Sequence, residues 1–344
     1  MRLKANLEAD AALVLTTVIW GSTFAFSKDI LDHWPPLFYV GLRMAAAGAL
    51  LSALFARTLA TASRREWAAG ATLGLLLGAG LAGQTVGQVY TTAAKSAFVT
   101  GLTTPLVPFV AYLLFRARPS RENFVGVALA SVGGLLILAP RGEQLTTAAV
   151  GGAAVNAGDV ITLFCTVLFA AHITLMSLYA RRHDVRRLTV AQILTAAALL
   201  AAAWGALQIY SAASGAGAQQ MPRAFEREFA PLAVNAAVLW RFAYMVVVAT
   251  VLNFLLWTWA QGRMSATHAA IIFSLEPVFA TLFAVALRGA GEWPGGWAAN
   301  AGAALIIAGV VVSELRWGRR AKGDREDEEP ESEEEAVTGH GAGV

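Results

Sequence analysis

Ten stretches of about 20 predominantly apolar residues, each bounded by charge or by Pro/Gly, follow one another along this chain. A helix needs roughly 20 such residues to cross a hydrocarbon layer about 30 Å thick, and within that layer the backbone must satisfy its own hydrogen bonds. The chain is thereby restricted to a bundle of membrane-spanning α-helices. The stretches cover about 10–27, 37–56, 67–89, 96–115, 122–139, 158–180, 188–210, 236–260, 266–287 and 296–315. Composition agrees, with 57% hydrophobic and only 14% charged residues, where a soluble domain carries about a quarter charged. Arg2 and Lys4 ahead of the first stretch resemble a signal peptide, but no A-x-A-type cleavage site with a polar start follows, so a retained first span is expected.

Charge supplies an orientation. The formal net charge of +3 conceals an acidic tail, Asp324 to Glu335, with nine acidic residues and one arginine; residues 1–322 are close to +11. That excess lies in short loops rather than on an aromatic-interleaved basic surface, so nucleic acid is not an expected partner. Lysine and arginine near span ends accumulate on the cytoplasmic side. With ten spans and the N-terminus inside, eighteen of them fall in inner segments and six in outer ones. Both termini are therefore expected inside. A long outer connection, about 211–235, is expected to be a mobile loop with a short interfacial helix. The tail 319–344 is too charged to bury a core and is expected to be disordered and cytoplasmic.

The two halves match weakly but in order. At a shift of 149, Asp10 meets Asp159 and Val18 meets Val167; at 172, Ala94, Ala97, Pro105 and Arg116 meet Ala266, Ala269, Pro277 and Arg288. At 176, Gly126, Ala128, Leu129 and Gly133 meet Gly302, Ala304, Leu305 and Gly309. A repeat of five spans crosses the membrane an odd number of times, so its second copy enters inverted. Inverted repeats recur in transporters, where two pseudo-equivalent halves rock about a central site. The expected units are a first repeat at 1–140, a connecting loop at 141–157, a second repeat at 158–318, and the tail.

Polar and charged groups within spans mark candidate substrate contacts, because an ionised side chain at a span centre costs about 2.5–3.5 kcal/mol on insertion scales. Arg43 lies two turns into span two, where an anionic substrate, a counter-carboxylate, backbone carbonyls or outward snorkelling would each account for it. Glu276 precedes Pro277 in mid-span nine, where the proline frees the carbonyl of residue 273; a proton, a sodium ion, a substrate ammonium or a buried base such as Arg43 would each suit its carboxylate. Gln84 and Gln88 share one face of span three, and either interhelical bonding or substrate contact explains them. Trp20 and Trp257 lie inside their spans rather than at the interface. His172 and His268 titrate near neutrality, though a lone helical histidine commonly serves packing. Lys95 is placed at the outer mouth or in an ordinary loop. Glycines at four-residue spacing, Gly70, Gly74 and Gly78 and then Gly83 and Gly87, predict close helix packing.

Enzyme motifs are missing: there is no H-E-x-x-H, G-x-S-x-G, Walker A or dinucleotide glycine fingerprint. The single cysteine, Cys165, excludes a disulfide framework and a cysteine metal site, and no cofactor is implied. IleTrpGlySerThrPhe at 19–24, LeuArg at 42–43, TyrThrThrAlaAlaLysSerAlaPheValThrGlyLeu at 90–102 with ProLeuValPro at 105–108, SerLeuGluProValPheAlaThrLeuPhe at 274–283 and GlyGlu at 291–292 stand in this order over the ten stretches. In that order the chain resembles the EamA-type permeases of the drug/metabolite transporter superfamily, across about 10–315. The resemblance implies a ten-span, inverted-repeat carrier of small organic metabolites, often amino acids or related compounds and commonly moved outward. It also implies a central cavity near Trp20, Gln88, His172, Trp257 and Glu276. One departure stands out: ArgAlaArgProSerArg occupies 116–121, where a Glu often follows span four, while the second half keeps Glu292.

The reading from sequence is an all-α integral membrane protein of ten spans in two inverted five-helix repeats. It would sit in the plasma or inner membrane as a secondary carrier working by alternating access, with a proton or sodium ion as a candidate coupling ion. Its candidate substrate contacts are Trp20, Arg43, Gln84, Gln88, Lys95, His172, Trp257 and Glu276. The partners are a small molecule and the bilayer, with monomer and homodimer both open. A lipid-handling membrane enzyme and a non-transporting scaffold are the alternatives.

Overall fold

The computed structural model describes residues 2–116, 121–138, 157–215, 221, 223–264, 266–273, 275–293 and 296–314. The expected loop at 141–157, except for its last residue, and the acidic tail lie outside them. Among the described residues the chain is helical, with no strand. Seven helical stretches are long and apolar enough to cross a membrane by length and composition: Leu7–Leu31, Pro36–Leu54, Arg64–Val89, Ala93–Phe115, Val160–Tyr179, Val185–Ser214 and Ala236–Gln261. Phe124–Gly133 and Gly296–Gly309 are shorter apolar helices.

In chain order the elements are α1 (Arg2–Leu31), α2 (Pro36–Leu54), the short α3 (Ala56–Leu59), α4 (Arg64–Val89), α5 (Ala93–Gly101), α6 (Thr103–Phe115), α7 (Arg121–Leu138), α8 (Ala157–Tyr179), α9 (Val185–Ser214), α10 (Ala236–Val246), α11 (Asn253–Gln261), α12 (Ala266–Phe273), α13 (Glu276–Arg288) and α14 (Gly296–Glu314). Helix starts carry their own signals. Ser63 and Glu66 form a reciprocal capping box at α4, and the Asp184 carboxylate accepts from the Arg186 and Arg187 amides at α9. Each supplies an acceptor to amides that have no partner within the helix.

Three of the apolar stretches are not simple α-helices. The fourth divides between α5 and α6 at Leu102, just before Pro105. The ninth divides between α12 and α13, just before Pro277. The two breaks meet, since a Cβ on Gly101 would stand 2.8 Å from Pro277 Cγ. Between α10 and α11 the eighth stretch widens into a π-helix over Val247–Leu252. Such turns hold one residue more than an α turn and recur at functional sites.

Close packing of small residues builds the bundle. The glycine stripe of α4 is divided between two neighbours: Gly70, Gly74 and Gly78 lie against Ala191, Gln192, Thr195 and Ala196 of α9, and Gly83 and Gly87 lie against Ile161, Thr162 and Cys165 of α8. Gly21 of α1 lies against Phe279 and Ala280 of α13. A reciprocal seam joins α7 and α14, which run antiparallel. A Cβ on Gly133 would meet Gly302 O at 2.5 Å and Ile306 N at 2.9 Å; one on Gly309 would meet Gly126 O at 2.5 Å and Ala130 N at 2.8 Å. At that approach dispersion between backbones replaces side-chain interdigitation.

The described part of the connection 211–235 is docked. Helix α9 runs on to Ser214, and Arg223–Phe229 form a 3-10 helix against the turn between α1 and α2. There the Glu228 carboxylate accepts from the Leu37 amide at 2.9 and 3.1 Å, Arg227 donates to Leu31 O at 2.5 Å, and Trp34 Nε1 donates to Ala233 O at 3.0 Å. The short helix was expected; the mobile loop expected with it is not what these described residues form, because they are hydrogen-bonded to the α1–α2 turn. Burying Glu228 on the α2 amides gives that segment fixed partners.

Candidate functional site

A cavity of about 100 Å³ lies in the middle of the bundle, several times the roughly 10–15 Å³ that one water needs. Helices α1, α2, α4, α5 and α6 line it from one half of the sequence, and α8, α11, α12 and α13 from the other. Seven of the eight candidate residues are on its wall: Trp20, Arg43, Gln84, Gln88, His172, Trp257 and Glu276. Lys95 lies elsewhere, in a recess with Lys28, Tyr90 and Glu292 near the end of α4.

Toward the chain's first residues the wall is aromatic. The Trp20 ring packs edge-on to Trp257 at 4.7 Å between centroids and lies 5.5 Å from Phe273 and 5.7 Å from Phe254; Trp257 also contacts His172 at 5.0 Å. The indole N–H of Trp257 donates to Gln261 Oε1, and Gln261 Nε2 donates to Ile173 O at 3.0 Å, so both polar groups are consumed within the protein. What Trp257 offers the cavity is therefore ring surface.

Arg43 is buried. Its Nε donates to Thr250 Oγ1 at 2.7 Å, its Nη2 reaches Ala249 O at 3.4 Å, and the Tyr39 hydroxyl lies beside it. Thr250 and Ala249 belong to the π-helix, whose widened turn brings an oxygen of each toward the guanidinium. Thr250 Oγ1 in turn donates five residues back to Met245 O. The four options left open for Arg43 thus narrow: carbonyl and hydroxyl oxygens hold it, and among the described residues no carboxylate pairs with it. Glu276, the first residue of α13, likewise accepts no hydrogen bond from a described residue, and it does not pair with Arg43. A cation and a carboxyl group thus line one cavity, each without an ionic partner among the described residues, a costly arrangement in a bilayer interior.

At the end bearing the α1–α2 turn, ion pairs stand among further aromatic contacts such as Trp34–Phe38 and Phe98–Trp293. Lys28 Nζ donates to Gln88 O, Val89 O and Thr91 O at 2.6, 3.1 and 2.8 Å, which ties α1 to the end of α4. Arg288 engages Asp29, Asp32 at 3.2 Å and Glu292 at 3.0 Å, and Arg241 lies 3.1 Å from Asp29. Glu292 also accepts from the Ala93 amide at 2.9 Å, so it caps α5 while holding Arg288.

Several wall residues escaped the sequence reading. Thr100, Thr103 and Thr104 line the cavity at the α5–α6 break, and Ser27, Phe254 and Phe273 line it elsewhere. The threonines just before Pro105 carried a usable signal, since hydroxyls beside a proline-broken turn sit where backbone carbonyls are freed. The π-helix had no comparable signal. The side chain of His268 lies outside the described residues.

A multi-pass helical bundle that encloses a polar and aromatic cavity, with residues from both parts of the chain on its wall, has the layout of a membrane carrier. The chain belongs to the EamA-like transporter family, whose model matches residues 7–139 and 156–315. Similar proteins include an uncharacterized transporter of Archaeoglobus fulgidus, 29% identical over 311 residues, 90% of this chain and 87% of that protein. The uncharacterized inner membrane transporter YedA of Escherichia coli K12 is 31% identical over 179 residues, 51% of this chain and 57% of that protein. A solved crystal structure superposes with a TM-score of 0.61 at 18% identity, covering 94% of this chain and 100% of that one.

Proposed function

We propose that the protein is a secondary carrier of small organic metabolites that bear both a cationic and an anionic group, amino acids among them, and that it moves them outward across the inner membrane. The observation that carries this reading is the presence of both Arg43 and Glu276 on the wall of one cavity, each without an ionic partner among the described residues. A substrate carboxylate satisfies the first, a substrate ammonium or a coupling proton the second, and the rings of Trp20, Trp257, Phe254 and Phe273 receive the apolar remainder. Similarity to YedA, an inner membrane transporter, supports the choice of membrane.

The mechanism is alternating access between two inverted five-span repeats in a ten-span bundle with both termini inside. Three observations support it. The family model matches in two stretches. The breaks before Pro105 and Pro277 fall at equivalent positions. The α7–α14 seam is reciprocal and antiparallel: residues separated by 176, Gly126 with Gly302 and Gly133 with Gly309, exchange contacts, as a two-fold axis in the membrane plane requires. In this orientation the Arg288 network is the outer barrier and the aromatic layer the inner one.

Counterflow of radiolabelled amino acids in vesicles containing the purified protein tests the reading. Glu276→Gln is expected to cut exchange at least tenfold while the protein still elutes as a folded species. Unchanged exchange would remove Glu276 from substrate handling and coupling.

A further inference from the structure

Two serines of α1 meet tyrosine hydroxyls, and they differ in where their own hydrogens go. Ser22 Oγ lies 2.8 Å from the Tyr244 hydroxyl and donates to Ile19 O at 2.7 Å. Thr23 likewise donates to Trp20 O at 2.7 Å. A bond to the preceding turn is the usual outlet for a helical hydroxyl. Ser27 lacks that outlet: among the described residues its one hydrogen-bond partner is the Tyr39 hydroxyl, at 2.9 Å. Ser27 is on the cavity wall, whereas Tyr39 stands behind it.

The direction of the Ser27–Tyr39 bond follows from what surrounds Tyr39. That side chain is buried, and its hydroxyl lies beside the Arg43 guanidinium. A guanidinium has donors only, so the phenolic oxygen turns its lone pairs toward the charge and its hydrogen away. The acceptor it meets is Ser27 Oγ. Reversing the bond would leave the Tyr39 hydrogen buried next to a cation with no described acceptor, which is the costly arrangement. Tyr39 therefore donates, and Ser27 keeps its own hydrogen for whatever occupies the cavity.

We infer that Ser27 is a second substrate contact, its hydroxyl donating to the anionic group that Arg43 attracts, and that Tyr39 is the positioning residue that orients it. Arg43 and Ser27 flank the same hydroxyl, so one carboxylate can give an oxygen to each. Bonds in such a chain polarise one another, and a hydroxyl donating to a charged acceptor forms one of the stronger hydrogen bonds. The inference rests on the cavity being the site of a carboxylate-bearing substrate.

Thermal-shift titration with leucine and with isoamylamine, which is leucine without its carboxylate, separates the possibilities, each shift being taken from the unliganded midpoint of the same variant. Ser27→Ala and Tyr39→Phe are each expected to need at least fivefold more leucine than the native protein for an equal shift. The double variant should need no more than either alone, because both remove one donor. Isoamylamine should act equally on all four proteins. A native leucine response that Ser27→Ala retains in full overturns the contact and leaves the substrate reading standing. A further loss from Tyr39→Phe on the Ser27→Ala background overturns the positioning role, since Tyr39 would then act on Arg43 directly. An equal fall for both probes overturns the contact by assigning Ser27 to cavity shape. No native response to leucine overturns the amino-acid reading and this inference with it.

Discussion

Arg43 shows how a single side chain can be both conspicuous in sequence and opaque in role. Its planar fork reaches a threonine hydroxyl and a backbone carbonyl of the π-helix at once, which a lysine's single ammonium cannot reproduce in the same geometry. Arg43→Lys keeps the charge, yet is expected to lose most counterflow while melting within a few degrees of the native protein; wild-type exchange would reduce Arg43 to a point charge. That Arg43 and Glu276 are candidates was legible, because an ionised group in an apolar stretch carries its cost openly. Their partners were not legible, because those depend on which helix faces which. The four readings left open for Arg43 needed the position of Thr250, 207 residues away.

Between elements, glycine contacts give the sharpest expectations. A Leu at Gly133 would drive into Gly302 O and Ile306 N, so Gly133→Leu is expected to destabilise by about 1–3 kcal/mol, seen as a lower thermal midpoint in detergent. Gly309→Leu should match it, and the double variant should fall short of the sum because both act on one seam. The 3-10 helix on the α2 terminus brings in acidity. Burial pushes the Glu228 carboxyl up from 4.5 to about 7, against the lowering effect of the Leu37 and Phe38 amides. Between those values the folded protein holds a proton that the unfolded chain has released, so stability declines as pH rises from 4.5 to 7. Glu228→Gln should lose that component of the melting-temperature profile; an unchanged profile would assign it elsewhere. Apolar length made most helices readable in advance. The π-helix was unreadable, since ValValAlaThrValLeu has the composition of any apolar turn, and the bonds Thr250 makes there, to Arg43 and Met245, are visible only in the fold.

Across the whole molecule, the two proposed barriers differ in their nearest groups, the rings of Trp20, Trp257 and Phe273 on one side and the Arg288 network on the other. Ion pairs are labile to neutralisation in a way that ring packing is not. In a Cys165→Ala background with Thr104→Cys as a reporter, Asp29→Asn combined with Glu292→Gln is expected to speed labelling by an impermeant thiol reagent added outside intact cells severalfold. Faster labelling only from the cytoplasmic face would reverse the proposed orientation. Loop charge and odd repeat length suggest the proposed layout, whereas the residues at each end of the cavity had to come from packing. The seam between α7 and α14 carries one more consequence. Because each partner offers the other the same glycines in the same order, that surface is a handshake between two near-equals and does not depend on the peptide that joins them. Two separately translated pieces, 1–145 and 150–344, should find each other through it and restore exchange when made in the same cell.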